Sequence, residues 1–288
     1  MQARQPVTFG LIADVQYAEK PSSGGRYYAM SKPRFQEFIA AMNSRSPKPE
    51  FVIQLGDLID GEDNAESELA AITELYSQLK IPHRHVLGNH DFAGIPREKT
   101  MNTLVMKNAY YVFDCGGWRF VVLDTQDTAV QGGWPEDSPR YEAARQMLED
   151  LRQRSALNAQ LYNGGVGAEQ LAWLDTTLAK ANHEKMPVVV FGHLPLVPAG
   201  QQHTLWNAEQ VVAVLQRHEG VKVYFCGHIH HGEMIEQNGI YYVSFEAMVD
   251  QANQEGTWYN IRLSAKAIEI EGVGVPDKWT LALTETIR

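Results

Sequence analysis

The sequence has few cysteines, no cluster of basic residues and no long apolar run, and each of these absences disfavours a class of protein. It has two cysteines in 288 residues, Cys115 and Cys226, too few for a disulfide framework, so we expect buried, reduced thiols. Its 25 basic residues are outnumbered by 35 acidic ones and form no Lys/Arg-rich run, which disfavours a nucleic-acid partner. No apolar run reaches the ~18 residues of a membrane span, and the N-terminus lacks the apolar core of a signal peptide. We therefore expect a cytoplasmic protein with no membrane or nucleic-acid partner.

What the sequence does contain is enough apolar residues for a substantial core, 44% of the chain. Residues 7–13, 51–55 and 85–87 are typical of buried strands, whereas 66–79 and 167–181 carry the apolar spacing of helices. After residue 234 short β runs follow one another without helices, which predicts an antiparallel tail. The pattern predicts a mixed α/β fold, a four-layer sandwich of two mixed β-sheets flanked by helices. We expect one domain over residues 1–288, with 124–167 as a long insertion that covers the substrate.

Polar residues follow the predicted strands at five places along the chain. A lone Asp or His at a strand end is usually a turn former or cap. Because ligands of open α/β sheets collect where strands end, five such clusters in one chain favour a shared site. The clusters are Asp14-Val15-Gln16, Gly56-Asp57, Gly88-Asn89-His90-Asp91, Gly192-His193 and Gly227-His228-Ile229-His230.

The side chains in these clusters are typical metal ligands. They are too many for one four-coordinate zinc ion and suit two divalent ions that share a bridging carboxylate. The candidate metal ligands are Asp14, Gln16, Asp57, Asn89, His193, His228 and His230.

In this order, the five motifs resemble those of the calcineurin-like metallophosphoesterase superfamily. Gln16 stands where that superfamily commonly has His, and in this the chain resembles a narrower group, the Mn²⁺-dependent ADP-ribose/CDP-alcohol diphosphatases. Further stretches extend this likeness over nearly the whole chain. These stretches are residues 12–17, 26–28, 54–57, 120–124, 163–165 and 206–207.

The resemblance implies a role for each ligand. Asp57 would bridge two ions, of which one is completed by Asp14, Gln16 and His230 and the other by Asn89, His193 and His228. Carboxylate and amide oxygens suit Mn²⁺ or Mg²⁺, while imidazole also suits zinc and iron. Gln in place of His therefore tilts the site toward Mn²⁺.

The resemblance also implies a mechanism, in which a hydroxide that bridges the two ions attacks phosphorus in line with the leaving group. His90 would stabilise or protonate the departing oxygen, and Asp91 would orient His90. A plain structural role for His90 is the alternative, because general-acid catalysis depends on geometry that a sequence does not contain.

Five residues are candidates for contact with a nucleotide-type small-molecule substrate. Tyr27, Phe92 and Trp206 would stack on a base, although such aromatic residues are more often part of a core. Arg26 would contact a phosphate or be a solvated charge. Asn163 begins an Asn-Gly-Gly stretch that would bring backbone amides near the substrate or form a turn before a helix.

Three functional hypotheses follow. The leading one is hydrolysis of the diphosphate bond of ADP-ribose, a CDP-alcohol or a related compound. The second is a cyclic nucleotide phosphodiesterase or a broad phosphomonoesterase on the same metal core. The third is a non-catalytic metal-binding scaffold, which is disfavoured because every ligand position holds a metal-competent residue. The oligomeric state stays open.

Overall fold

The computed structural model describes residues 6–250 and 256–283, and in them twelve strands form two sheets of six. The strands are β1 Val7–Ile12, β2 Phe51–Gln54, β3 His83–His85, β4 Tyr111–Cys115, β5 Trp118–Val122, β6 Val188–Phe191, β7 Val221–Cys226, β8 Glu233–Gln237, β9 Ile240–Ser244, β10 Trp258–Leu263, β11 Ala267–Val273 and β12 Lys278–Ala282. The helices are α1 Ser31–Ser44, α2 Ala65–Glu74, α3 Arg97–Thr103, α4 Pro139–Gln153, α5 Ala168–His183 and α6 Ala208–Gln216, with short 3₁₀ helices at Tyr28–Met30, Leu75–Gln78 and His90–Phe92.

Each sheet combines a set of neighbouring parallel strands with antiparallel ones. The first has the order β12-β11-β10-β1-β2-β3, with β1, β2 and β3 parallel. The second has the order β4-β5-β6-β7-β9-β8, with β5, β6, β7 and β9 parallel. Because the strands of a parallel set all end at the same edge, the segments after β1, β2, β3, β6 and β7 can meet at one place.

The two sheets pack face to face through an apolar layer drawn from both. The Phe9 ring stacks on Phe51 within the first sheet, with centroids 4.7 Å apart, and meets Phe120 and Phe191 of the second sheet edge-on at 6.0 Å. Further apolar clusters cover the outer faces, with α1 and α2 against the first sheet and α5 and α6 against the second. The predicted four-layer sandwich is confirmed.

The structure differs from the sequence-based expectations in several elements. The third strand is His83–His85 rather than 85–87, and the helix expected to reach residue 79 changes to 3₁₀ geometry after Glu74. The tail is not wholly antiparallel, because the β8–β9 hairpin places β9 parallel to β7. Cys226 is buried as expected, but Cys115 is half-buried because it ends the edge strand β4.

Residues 124–167 are tied to the rest of the protein at their start, and their two ends are joined to each other. The buried Asp124 carboxylate pairs with the Arg97 guanidinium, and Thr128 and Gly165 exchange two backbone hydrogen bonds of 2.9 and 2.7 Å. Coverage of the substrate by this segment stays a prediction. Among the described residues, none of the helices has both the length and the apolar character needed to cross a membrane.

Candidate metal centre

The segments after the parallel strands bring the seven predicted ligands together. His193 lies at the middle of one half of the cluster. Its Nε2 is 3.2 Å from Asp57 Oδ2, 3.3 Å from Asn89 Oδ1 and 3.2 Å from His228 Nδ1. The ligand atoms of Asp57, His193 and His228 all lie within 4.8 Å of one another.

The other half of the cluster meets the first at Asp57. Gln16 Nε2 lies 3.3 Å from Asp57 Oδ2 and 3.4 Å from His230 Nε2, and His230 Nε2 lies 3.6 Å from Asp14 Oδ1. Asp57 therefore contacts members of both halves, which is the position that a bridging carboxylate requires.

The chemistry of this cluster fits divalent metal ions. Asp14 and Asp57 are at most 1% exposed, and among the described residues their ion-pair partners are histidines rather than Lys or Arg. Gln16 Oε1 is buried and accepts no hydrogen bond from the described residues. Buried carboxylates and an acceptor without a donor are costly unless something compensates them, and cations would compensate all three.

The protonation of the cluster points the same way. Burial alone would raise the pKa of Asp57, but the charges of His193 and His90 hold it below its ordinary value. Burial alone would lower the pKa of His193, but Asp57 raises it to about 9. Burial and the neighbouring His193 hold the pKa of His228 well below its ordinary value. Without a metal ion, His193 therefore holds a proton next to Asp57. A bound metal ion would replace the positive charge of that proton.

All three candidate histidine ligands have their second ring nitrogen held by a neighbouring acceptor. His193 Nδ1 lies 2.8 Å from the Leu55 carbonyl oxygen, and His228 Nε2 lies 3.2 Å from Asn163 Oδ1. Metal-binding histidines usually donate their other N–H in this way, which fixes the tautomer and the ring orientation. Asn163, predicted to approach the substrate, lies at the site as the partner of His228.

The ring of the third histidine, His230, is held by Asp250, a residue that we did not predict from the sequence. Its Nδ1 lies 2.8 Å from Asp250 Oδ2, which leaves Nε2 directed at Asp14 and Gln16. Asp250 lies six residues beyond β9, outside every motif, and no local sequence signal marks it.

The backbone at the site is strained. Five of the seven candidate ligands have left-handed φ values between 40° and 72°, and strain of this kind concentrates at functional sites. The five are Asp14, Gln16, Asp57, His228 and His230. Close approach also explains the glycine before Asn89, because a Cβ atom on Gly88 would lie 2.1 Å from Asp57 Oδ1.

His90 lies beside the cluster at the cleft surface, with 27% of its side chain exposed. Its backbone N–H donates to Asp57 Oδ1 over 2.8 Å. Its ring Nδ1 lies 2.8 Å from the Asp60 carbonyl oxygen and 3.5 Å from the Asp60 carboxylate, which also pairs with Lys20. The His90 ring is thus held by Asp60, whereas we expected Asp91 to hold it.

The Asp91 carboxylate has a different task. It is fully buried and accepts hydrogen bonds from the backbone N–H groups of Asp57, Leu58 and Gly88 over 2.8 to 3.0 Å. Asp91 therefore fixes the loop that carries Asp57, and its hydrogen bonds within the described chain do not reach the His90 ring.

The remaining predicted substrate contacts divide into two groups. Arg26 is half-buried, and its positive charge lies close enough to His230 to oppose protonation of that ring. The backbone N–H of Tyr27 donates a hydrogen bond to the Val249 carbonyl oxygen. Phe92 and Trp206 are each 5% exposed and belong to apolar clusters. This packing favours a core role for Phe92 and Trp206 over stacking on a base.

Comparison with known proteins agrees with this geometry. A manganese-dependent ADP-ribose/CDP-alcohol diphosphatase from Arabidopsis thaliana is 34% identical and covers 86% of this chain and 88% of its own length. The Homo sapiens protein of that name is 30% identical, over 94% and 91%. A dimetal phosphatase structure from Danio rerio superposes with a TM-score of 0.87 at 26% identity, covering 96% of this chain and 99% of that one.

These similarities confirm the expected fold class, the resemblance to the diphosphatase subgroup and the expectation of a metal-dependent hydrolase. The model of the calcineurin-like phosphoesterase family matches residues 7–232, a range that contains all seven candidate ligands and His90. The chain belongs to the calcineurin-like phosphoesterase family.

Proposed function

We propose that this protein hydrolyses the diphosphate bond of nucleoside diphosphate-linked compounds such as ADP-ribose or a CDP-alcohol, using two divalent ions, preferably Mn²⁺. The observation that carries the proposal is the convergence of seven oxygen and nitrogen ligands, the buried Asp57 among them, together with a Gln16 amide oxygen that accepts no hydrogen bond from the described residues. The substrate class is supported by the curated relatives, which are named for these two substrates.

We propose the following division of the metal ligands. Asp57 would bind both ions, with Asp14, Gln16 and His230 completing one site and Asn89, His193 and His228 completing the other. When bound, such a pair of ions activates water and neutralises charge on the phosphoryl oxygens. Preference for Mn²⁺ or Mg²⁺ over zinc rests on the oxygen donors, above all on the Gln16 amide.

The protein itself holds the ligand atoms in place and donates a proton to the leaving group. Leu55, Asn163 and Asp250 fix the rings of the three histidines, so that one nitrogen of each faces the cluster. His90, whose Nδ1 is held by the Asp60 carbonyl oxygen, would donate the Nε2 proton of its doubly protonated ring to the leaving phosphate oxygen. A positioned general acid of this kind contributes about 10²- to 10⁴-fold in rate.

The substrate would reach the site from the side on which His90 is exposed. Arg26 supplies positive charge near His230 in a chain of net charge −10. Together with the metal ions it would offset the charge of a diphosphate, which the acidic surface otherwise repels.

A substrate panel tests the proposal. Metal-stripped protein is reloaded with Mn²⁺, Mg²⁺ or Zn²⁺ and given ADP-ribose, CDP-choline, cyclic AMP and p-nitrophenyl phosphate, with Asp57→Asn as the inactive control. We expect Mn²⁺-dependent release of AMP and CMP. Turnover of cyclic AMP or the monoester alone would keep the metal site and refute the diphosphatase. No turnover with any metal would favour a non-catalytic scaffold.

A further inference from the structure

A cavity of about 580 Å³ lies beside the edge strand β3, apart from the metal centre. Its apolar surface includes Leu79 and Ile81, and its charged groups are Arg84 and Lys107. None of the residues that line it is Asp or Glu, although the chain carries ten more acidic than basic residues. A concave apolar surface with positive charge alone favours an anion that has an apolar body.

One wall of this cavity contains a buried polar group without a partner. His85 is 4% exposed, and its backbone N–H and carbonyl pair with the Tyr111 hydroxyl over 3.2 and 2.9 Å. Its ring Nδ1 is fully buried and has no hydrogen-bond partner among residues 6–250 and 256–283. Burial lowers the pKa of His85 to about 3, so the neutral ring keeps one donor and one acceptor. Buried polar groups normally find partners.

The cavity rim carries a strained, exposed valine. Val105 follows the end of α3 with φ 55° and is 87% exposed. The Met106 N–H closes the helix end with a 2.9 Å hydrogen bond to the Met101 carbonyl. Helices with such ends usually have glycine at this position, and a β-branched residue there is disfavoured. Strain of this kind recurs where a side chain contacts a ligand.

We propose that this cavity is a binding site for a small organic anion with a flat apolar body. The apolar body would lie against Val105 and Ile81, and its negative group would approach Arg84 and Lys107. A polar group of the ligand would pair with His85 Nδ1 after a rotation of the His85 ring opens this atom to the cavity. This inference does not depend on the proposed diphosphatase activity, since none of these residues belongs to the metal cluster.

Calorimetric titration of the full-length, Mn²⁺-loaded protein with 2-naphthalenesulfonate tests the proposal, because this anion is apolar, flat and resistant to phosphoesterases. We expect saturable binding of one molecule per chain. Reversal of both cavity charges, Arg84→Glu with Lys107→Glu, should weaken binding by roughly tenfold or more, the scale of losing close charge pairs. The matched reversal Arg152→Glu with Lys266→Glu, at exposed positions on α4 and between β10 and β11, should leave the affinity unchanged.

Val105→Gly separates a ligand contact from a structural role. It should leave the melting temperature unchanged or raise it, because glycine suits the left-handed conformation, and it should still weaken probe binding. Absence of saturable binding to the wild-type protein would overturn the proposal. Equal weakening by the cavity and the distant charge reversals, or loss of binding in Asp57→Asn, would also overturn it, because the probe would then bind nonspecifically or at the metal centre.

Discussion

Removal of the Asp250 carboxylate should weaken one metal site and spare the other. Asp250 Oδ2 lies 2.8 Å from His230 Nδ1, and His230 is the histidine that faces Asp14 and Gln16. Without this acceptor the His230 ring can turn and can change tautomer. Loss of such a partner typically costs 10- to 100-fold in metal affinity, which corresponds to about 1.4 to 2.7 kcal/mol.

The assay is a calorimetric Mn²⁺ titration of stripped wild-type protein, Asp250→Ala, Asp250→Asn and Asp137→Ala. Asp137 is an exposed carboxylate before α4 and serves as the control for loss of one negative charge. We expect one of two binding events to weaken in Asp250→Ala, a smaller loss in Asp250→Asn, which keeps an acceptor, and no loss in Asp137→Ala. Equal weakening of both events, or none, would refute the assignment of Asp250 to His230.

Three further predictions concern the site and its neighbours. Gly88→Ala places a Cβ atom 2.1 Å from Asp57 Oδ1, so Mn²⁺ titration should show weaker binding to both sites; unchanged binding would contradict the bridging position of Asp57. His90→Ala should lower kcat by about 10²- to 10⁴-fold in steady-state assays while Mn²⁺ affinity stays as in the wild type; a lost metal site instead would make His90 a ligand. Trp206→Ala should cost about 3 to 5 kcal/mol of unfolding free energy in urea titrations with little change in KM, whereas a raised KM at unchanged stability would restore the base-stacking role.

The convergence of the candidate metal ligands could be predicted from the sequence because its signals are local. Each candidate lies within four residues of the end of a strand, and parallel strands end at one edge of a sheet. Asp14 and His228 are more than two hundred residues apart, yet the Asp14 carboxylate accepts the His228 backbone N–H over 3.1 Å. Strand periodicity and polar strand ends suffice to predict such a meeting point.

The supporting residues could not be predicted in the same way. Asp250 lies in a loop, and only the packing of that loop against β1 and its extension brings it to His230. Asp60 follows a recognisable motif, but its contact with His90 depends on the path of the loop after β2. Asp91 does not hold His90 as we expected, because its buried carboxylate is satisfied by three backbone N–H groups of the neighbouring loops.

The sequence also does not distinguish aromatic residues that pack in the core from those that contact a substrate. Trp206 and Phe92 stand next to motif residues, yet both pack inward, and the Trp206 indole N–H donates to the Gln160 carbonyl over 3.2 Å. A large ring has more surface to gain from burial than from an exposed position at a cleft. The sequence gives the residue type but not the direction in which the side chain points.

In the proposed function, two metal ions joined through Asp57 hydrolyse a diphosphate bond. The most direct test measures bound Mn²⁺ per chain and AMP release from ADP-ribose on the same stripped and reloaded samples of wild type and Asp57→Asn. We expect two ions per wild-type chain, activity that rises as the second ion binds, and loss of both ions and activity in Asp57→Asn. Full activity with one ion, or AMP release by metal-free protein, would contradict the proposal.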